Sequence, residues 1–448
     1  DVYKRQIIRA STDMAMPANE QRIHISGGRL IDPASEIDGQ LDIFVAGGHI
    51  AAIGAAPDGF TADQVIDASG RIVCPGLVDL CARLREPGQE HKATIASESA
   101  AAASGGITTL CCPPDTLPVV ETPADIELIR LRAEATGKTR VVTLGALTRG
   151  LRGEQLSEMA ALKQAGCVGV SNAMQPLANT LVQRRAMEYA ATFNLTVFLY
   201  ANDHWLTSGG CAHEGKVATR LGLPGIPEAA ETAAVARDLA LVEQTGVRAH
   251  FCRLTTARAV RMVARARYDG LPVTADAAMP YLYLTEIDIS DFDSHCHVIP
   301  PLRTVEDRQG LRDAMRRTTL DAVCSDHQPH EADAKQGPFP STEPGISGLE
   351  TLLPLGLRLV DESVTDLSSM LRTLTSAPAG ILGLPCGTLA TGSIADICIF
   401  DPELTWQVDS QSMLSNGLNT PFLGWEMKGR VTRTLLAGRS VYALENGA

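Results

Sequence analysis

The residues best equipped for chemistry in this 448-residue chain fall in a few short runs. Ser325-Asp326-His327-Gln328-Pro329-His330 sets a carboxylate beside a His-x-x-His pair, a combination able to bind a metal or to work as a general base. Asp79-Leu80-Cys81-Ala82-Arg83-Leu84-Arg85 puts a thiol among guanidinium groups, the surroundings in which a cysteine turns nucleophilic. His295-Cys296-His297 would chelate if the run were a strand, because alternate strand residues share a face. Each motif also has a plainer reading. Cys81 can be a small thiol filling space, and the histidines can be hydrogen-bonded scaffolding. Neither a G-x-G-x-x-G nor a G-x-x-x-x-G-K phosphate loop is present, which disfavours nucleotide chemistry.

The elements that must position these groups follow from patterning. Residues 22–74 alternate polar and apolar positions between glycine-rich turns, as in Ile23-His24-Ile25-Ser26-Gly27-Gly28, and the same texture returns in Ala395–Pro402 and Val431–Gly438. This predicts one composite β-sandwich from residues 22–74 plus 385–446. Between them, residues 75–384 switch repeatedly between apolar runs (Arg140–Gly145, Thr196–Tyr200, Val247–Leu254, Leu320–Ser325) and helical patterns with readable ends. Thr122-Pro123-Ala124-Asp125 opens one helix; Pro227 opens another that Gly246 is placed to end. Such alternation predicts a parallel (β/α) barrel, with a doubly wound sheet as runner-up.

Composition narrows the function classes. A net charge of −13 argues against nucleic acid or anionic lipid as the main partner. No apolar run approaches the roughly 20 residues of a membrane helix. The eleven cysteines sit mostly in apolar stretches, as buried reduced thiols of a cytoplasmic protein would. The start, Asp1-Val2-Tyr3-Lys4-Arg5-Gln6, lacks an initiator Met. Residues 1–21 are therefore expected to be a disordered or cloning-derived N-terminus, with Met14 or Met16 as the candidate true start.

The run from Pro75 to Gly88 resembles the first barrel strand of dihydroorotases in the amidohydrolase superfamily, where Asp-x-His-x-His-x-Arg gives two histidines to a catalytic zinc. Asp79 and Arg85 stand in register, but Cys81 and Arg83 hold the histidine positions. Cys112-Pro113-Pro114-Asp115-Thr116 is similar to the family's Cys-Met-Pro-Asn-Thr, with Asp115 where an asparagine would meet a substrate carboxylate. Val170-Ser171-Asn172-Ala173-Met174 takes the segment of a metal-bridging carboxylate or modified lysine. Tyr200 takes a histidine position ahead of Ala201-Asn202-Asp203, and Arg253 takes another in His250–Thr256. Ala212-His213-Glu214-Gly215 and Leu221–Pro227 keep the register. Asp326 matches the last family ligand. On the substrate side, Ala278-Met279-Pro280-Tyr281 replaces a Thr-Pro-His-His-like element, and Ile299 replaces an asparagine ahead of Pro300-Pro301-Leu302-Arg303.

The resemblance, which runs from about residue 22 to 446, implies an α/β fold: a (β/α)8 TIM-type barrel of the amidohydrolase kind with a small sandwich built from both termini. It also implies a degenerate metal site at Cys81, Arg83, Ala173, Tyr200, Arg253 and Asp326, and a vestigial substrate pocket at Arg85, Asp115, Ile299, His327, His330 and Gly345. Arginine has no lone pair to give, and a zinc site needs three or more protein ligands. Without zinc, nothing here lowers the pKa of water from ~15.7 to about 7. Neither a zinc cofactor nor a catalytic residue is therefore expected. Asp326 is expected to pair with Arg83 and Arg253, which would stand in for the metal's charge and leave one positive charge unbalanced.

Cys111-Cys112-Pro113-Pro114, Ala249-His250-Phe251 and His327-Gln328-Pro329-His330-Glu331 resemble in particular the non-catalytic dihydroorotase-like chains that accompany aspartate carbamoyltransferase in some bacteria. That likeness implies an assembly subunit of pyrimidine biosynthesis: a homodimer in a larger hetero-oligomer with the transferase catalytic chain. Two alternatives stay open, a metal-dependent cyclic amidohydrolase with an altered site and a metabolite-binding regulatory module.

Overall fold

The computed structural model of the chain describes residues 21–444, so the expectation for residues 1–21 lies outside the described residues but for Gln21. Eight parallel strands form the central sheet: β1 (Leu77–Asp79), β2 (Ile107–Cys112), β3 (Arg140–Ala146), β4 (Gly169–Ser171), β5 (Thr196–Leu199), β6 (Ala249–Phe251), β7 (Val273–Ala278) and β8 (Ala322–Cys324). They pair in sequence order from β1 to β8. Helices α1 (Ile95–Ser104), α2 (Pro123–Thr136), α3 (Met159–Gln164), α4 (Thr180–Thr192), α5 (Glu228–Thr245), α6 (Ala257–Tyr268) and α7 (Val305–Arg316) fall between consecutive strands. This is the expected barrel. All six residues of β2 are buried, as befits a parallel strand covered on both faces.

Local chemistry sets the helix ends. Thr122 and Asp125 form a capping box around Pro123 at the start of α2. Gly246 closes α5 in the left-handed region, at φ 67°. Glu231 of α5 accepts from the Thr255 and Thr256 amides, which ties α5 to the start of α6.

The barrel seam is closed by other means than a ladder. β1 and β8 pair only beyond their ends, where the Arg83 amide donates to the His327 carbonyl at 2.9 Å and the His327 amide to the Cys81 carbonyl at 3.2 Å. Below this bridge the buried Asp79 carboxylate takes the Ser325 amide at 2.9 Å and also the Ser325 hydroxyl. One side chain thus does at the seam what a ladder does elsewhere.

The terminal segments form two sheets over a shared apolar core that includes Ile23, Ile43, Val73, Ile397 and Leu435. One sheet is mixed, with strands from both ends of the chain: Arg439–Ala443, Glu426–Leu436, Ile397–Gln407, Ile72–Pro75, Arg29–Asp32 and Ile37–Gln40, in that order. The other is entirely N-terminal: His49–Ile53, Ile43–Ala46, Ile23–Ser26 and Gln64–Asp67. Both ends therefore meet in one sheet rather than in both. The His295–His297 run is a tight turn at Ser294–Cys296 and not a strand, so the alternation argument for a chelating pair fails there.

Burial raises the Asp79 carboxyl to about 7, although its bonds to Ser325 pull the other way. Its folded-state pKa thus exceeds the unfolded value of about 3.9. Between about pH 4 and pH 7 the folded chain keeps a proton that the unfolded chain releases, so this group costs stability as pH rises through that window. The Asp79→Asn variant should lose this dependence, which is worth at most roughly 4 kcal/mol. Urea midpoints at pH 4.5 and 7.5 measure it; an identical pH difference in wild type and variant would refute the assignment.

Candidate functional site

Three strand ends converge at the barrel mouth with the same backbone geometry. Ala173, Arg253 and Asp326 each lie two residues beyond a strand, β4, β6 and β8 respectively. All three adopt left-handed φ values, 48°, 52° and 46°. Non-glycine residues pay for that conformation, and such strain gathers where a side chain must be aimed. Cys81 occupies the matching place after β1.

The side chains brought together form a buried ion-pair cluster. Arg83 Nη1 donates to Asp326 Oδ1 at 3.3 Å, and Arg253 Nε lies 3.4 Å from the same oxygen. The Cys81 thiol donates to that oxygen at 3.4 Å and accepts from Arg253 Nη1 at 3.2 Å. Gln328 Nε2 donates to the other carboxylate oxygen at 3.2 Å. Arg83, Arg253 and Asp326 are 5%, 5% and 6% exposed, so the whole group is dehydrated.

Asp115 changes the expected charge balance. Arg83 Nε donates to Asp115 Oδ2 at 2.8 Å. The two guanidinium charges thus face two carboxylates, and the surplus positive charge expected from Asp326 alone is cancelled. Burial opposes the charge on Arg83, but Asp115 and Asp326 together hold its pKa above the ordinary arginine value. Cys81 is raised as well, which leaves it uncharged: burial drives its thiol well up, and the pull of Arg253 and Arg83 does not offset it. A neutral buried thiol is a poor nucleophile.

Tyr200 forms one wall, its ring 5.7 Å from the Arg253 guanidinium carbon and its hydroxyl accepting from Asn202 Nδ2 at 2.8 Å. Burial pushes that hydroxyl up to about 12, against the opposing pull of Asn202 and Arg253. Asp276 accepts from the Arg253 amide and lies 2.9 Å from His250 Nε2, which fixes the loop after β6. Among these groups remains a cavity of about 10 Å³, room for about one water. Small-molecule sites typically offer ~300–1,000 Å³. The mouth is filled.

The expected substrate-side residues are dispersed into structural roles. Arg85 donates to the Pro329 carbonyl at 2.9 Å and lies 2.9 Å from His330 Nε2; burial and nearby Arg83 lower it to about 10. His330 also lies 3.3 Å from Lys92 Nζ, and burial with these cations depresses it to about 2, so the ring is neutral. His327 is fully buried with Glu98 at 2.7 Å, and does not join His330 as a chelating pair. Gly345, at φ 140°, packs where an added Cβ would come within 2.5 Å of Gln328 Cβ, so only glycine fits. Ile299 is half-buried beside Pro300. His297 lies 2.8 Å from the Thr342 hydroxyl.

Comparison with known proteins now decides the family. The profile described as "Dihydro-orotase-like" matches residues 70–259. A "Dihydroorotase-like protein" of Pseudomonas aeruginosa is 52% identical, over 93% of this chain and 98% of its own length. One of the same name from Pseudomonas putida is 50% identical, over 94% of this chain and 100% of the relative. A "Dihydroorotase" of Syntrophus aciditrophicus is 43% identical, over 94% of this chain and 99% of the relative. The chain belongs to the dihydroorotase-like family. Among solved structures, an L-hydantoinase from Arthrobacter aurescens shares the fold at TM-score 0.84 and 24% identity, covering 95% of this chain and 98% of that one.

The zinc implied by the family resemblance does not fit the residues of this dihydroorotase-like chain. Of the positions that match the family's metal ligands, Cys81 and Asp326 carry donor atoms suited to zinc, and both are already engaged by arginines. Among the described residues, no group of three His, Cys, Asp or Glu side chains could hold a metal. Two guanidinium groups in the same space repel a divalent cation.

Sequence reasoning missed Asp115 as a counter-ion. The signal was available: two buried arginines with one surviving carboxylate leave a charge that burial does not tolerate. Among the described residues, no helix is long and apolar enough to cross a membrane. Replacing Arg253 with Met should destabilise the fold by about 3 kcal/mol, at the low end for breaking a buried pair, since Arg83 still holds Asp326. Guanidinium denaturation tests this; an unchanged midpoint would mean that the cluster carries no net stabilisation.

Proposed function

We propose that this chain is a non-catalytic member of its family serving as a cytoplasmic assembly subunit of aspartate carbamoyltransferase, its dimers holding transferase trimers in the complex that forms carbamoyl-aspartate for pyrimidine synthesis. One observation carries this reading: Arg83, Arg253, Asp115 and Asp326 neutralise one another inside the mouth and leave about 10 Å³ there. A hydrolase must hold a hydroxide and a ring-sized substrate at that place, and an ion-paired plug excludes both. The barrel and sandwich around it are intact, as a scaffold requires. The names of the relatives are consistent with this, those at 50–52% identity being called dihydroorotase-like and one at 43% being called dihydroorotase.

The test is to express the chain with the aspartate carbamoyltransferase catalytic chain of the same cell, isolate either one by an affinity tag, and analyse the sample for zinc and for dihydroorotate hydrolysis. Co-isolation of the transferase chain at a fixed ratio, with zinc far below one ion per chain and no turnover, is expected. Stoichiometric zinc with turnover would instead identify a hydrolase. A melting shift with a pyrimidine or aspartate analogue, without co-isolation or turnover, would identify a regulatory module.

A further inference from the structure

Between the strands Ile397–Gln407 and Glu426–Leu436 the chain leaves the sheet and lies against the loops that follow β8. The Val408 amide donates to the Trp425 carbonyl at 3.0 Å and the Gly424 amide to the Val408 carbonyl at 2.8 Å, which pins the two ends of this excursion together. From Met413 to Asn419 its residues alternate. Met413, Ser415, Gly417 and Asn419 are buried, whereas Leu414 and Leu418 face out at 47% and 38% exposure. A Cβ on Gly417 would come within 2.5 Å of Pro329 Cβ, so the strap lies flush on the loop after β8. Apolar anchoring comes from Met413 and the fully buried Phe422 at its two ends. The middle is held by polar contacts.

Two buried carboxylates from different parts of the barrel grip three consecutive residues of that middle. Glu350, ahead of the helix Leu352–Asp361, accepts from the Leu414 amide and, at 3.4 Å, from the Ser415 amide. Glu98 of α1 accepts from the Ser415 hydroxyl at 2.7 Å and from the Asn416 amide at 3.1 Å. Burial works against the charge on Glu98, but His327, Ser415 and Ser97 hold it below the ordinary carboxylate range. Burial raises Glu350 to about 8; the Leu414 amide pulls it down, and the charge of Glu98 pushes it up again. Ser104 donates to Glu350 at 3.5 Å, and Tyr442 on the strand Arg439–Ala443 also feels its charge. One carboxylate keeps its charge and the other its proton, as two like groups in a dry space must.

Asn419 carries the hold of the strap toward the mouth. Its Oδ1 accepts from the His330 amide at 2.8 Å, and its Nδ2 donates to the carbonyls of Gln328 at 2.9 Å and Gly345 at 3.0 Å. Gln328 in turn donates to Asp326. We propose that residues 414–419 form a proton-operated strap, closed on the loop after β8 while Glu350 is protonated and lifted when Glu350 gives up its proton, which loosens the Gln328–His330 loop behind the ion-pair cluster. A segment with little apolar burial opens ahead of the core. Opening moves Glu350 into water, where a glutamate titrates at about 4.3. Between that value and about 8 the closed strap binds one proton more than the open one, so rising pH favours opening. Below this window both states are protonated and above it both are charged, so the balance stops moving. The device does not rest on the assembly reading.

Amide hydrogen exchange of the full chain, read by mass spectrometry from pH 6 to pH 9, tests it. After correction for the intrinsic rate, protection of Leu414, Ser415 and Asn416 should fall about tenfold per pH unit up to about pH 7.5 and level off above about pH 8.5. The His330 amide should follow, being bonded to Asn419, while the β2 amides stay better protected at every pH. Glu350→Gln keeps an acceptor for the Leu414 amide but cannot titrate, and should be flat. Asp79→Asn should keep the wild-type slope, because lifting the strap does not expose the seam. Wild-type protection that is unchanged between pH 6 and pH 8, a slope that survives Glu350→Gln or disappears with Asp79→Asn, or strap amides that exchange only together with β2 would each overturn the proposal. The wild-type slope and its comparison with β2 decide the matter even should the Glu350 variant fail to fold.

Discussion

A charge taken out of water must find its opposite within a few ångström, and the barrel mouth is organised by that requirement. Arg83 and Arg253 are almost wholly buried, and each has a carboxylate at 2.8–3.4 Å. The neutral Cys81 thiol and the Tyr200 ring fill the remaining contacts. Desolvation of its charged groups makes such a cluster a modest contributor to net stability but a strict one: remove one member and the buried charges no longer balance. The cluster thus dictates which changes the mouth tolerates.

The same constraint extends outward. Asp326 and His327 follow β8, and the His327 backbone bridges to Cys81 and Arg83 after β1. The residues that close the barrel are thus neighbours in sequence of those that neutralise one another. Asp79 reinforces the seam from below through Ser325. His327 continues the linkage through Glu98, which accepts from Ser415 at 2.7 Å and so ties the C-terminal segment to the barrel. The ion-pair cluster, seam and C-terminal segment form one connected polar network.

How far the fold was legible depended on the element. The long alternating runs at both ends predict strands because period two survives any tertiary context, yet nothing local says that the Ile23–Ser26 sheet excludes the C-terminal strands while the Arg29–Asp32 sheet admits them. Barrel strands of three residues, such as Gly169–Ser171, carry too little pattern to be recognised alone and were located through motif resemblance. The His295–His297 run fits strand alternation and folds as a turn, because Asp293 caps it by accepting from the His295 amide.

What the sequence determined by itself is which side chains can donate a lone pair: that is a property of residue type, and no fold gives one to Arg83, Ala173 or Arg253. The sequence also carried the order of strands and helices, because periodicity and caps act over a few residues. The pairing of Asp326 with Arg83 and Arg253 was expected from the sequence; only the tertiary structure decided that Asp115 joins them. Asp115 serves Arg83 from the end of the neighbouring strand, and Asp326 serves Arg83 and Arg253 from the far side of the seam. Ion pairing falls off over a few ångström, and those distances exist only once the barrel has closed.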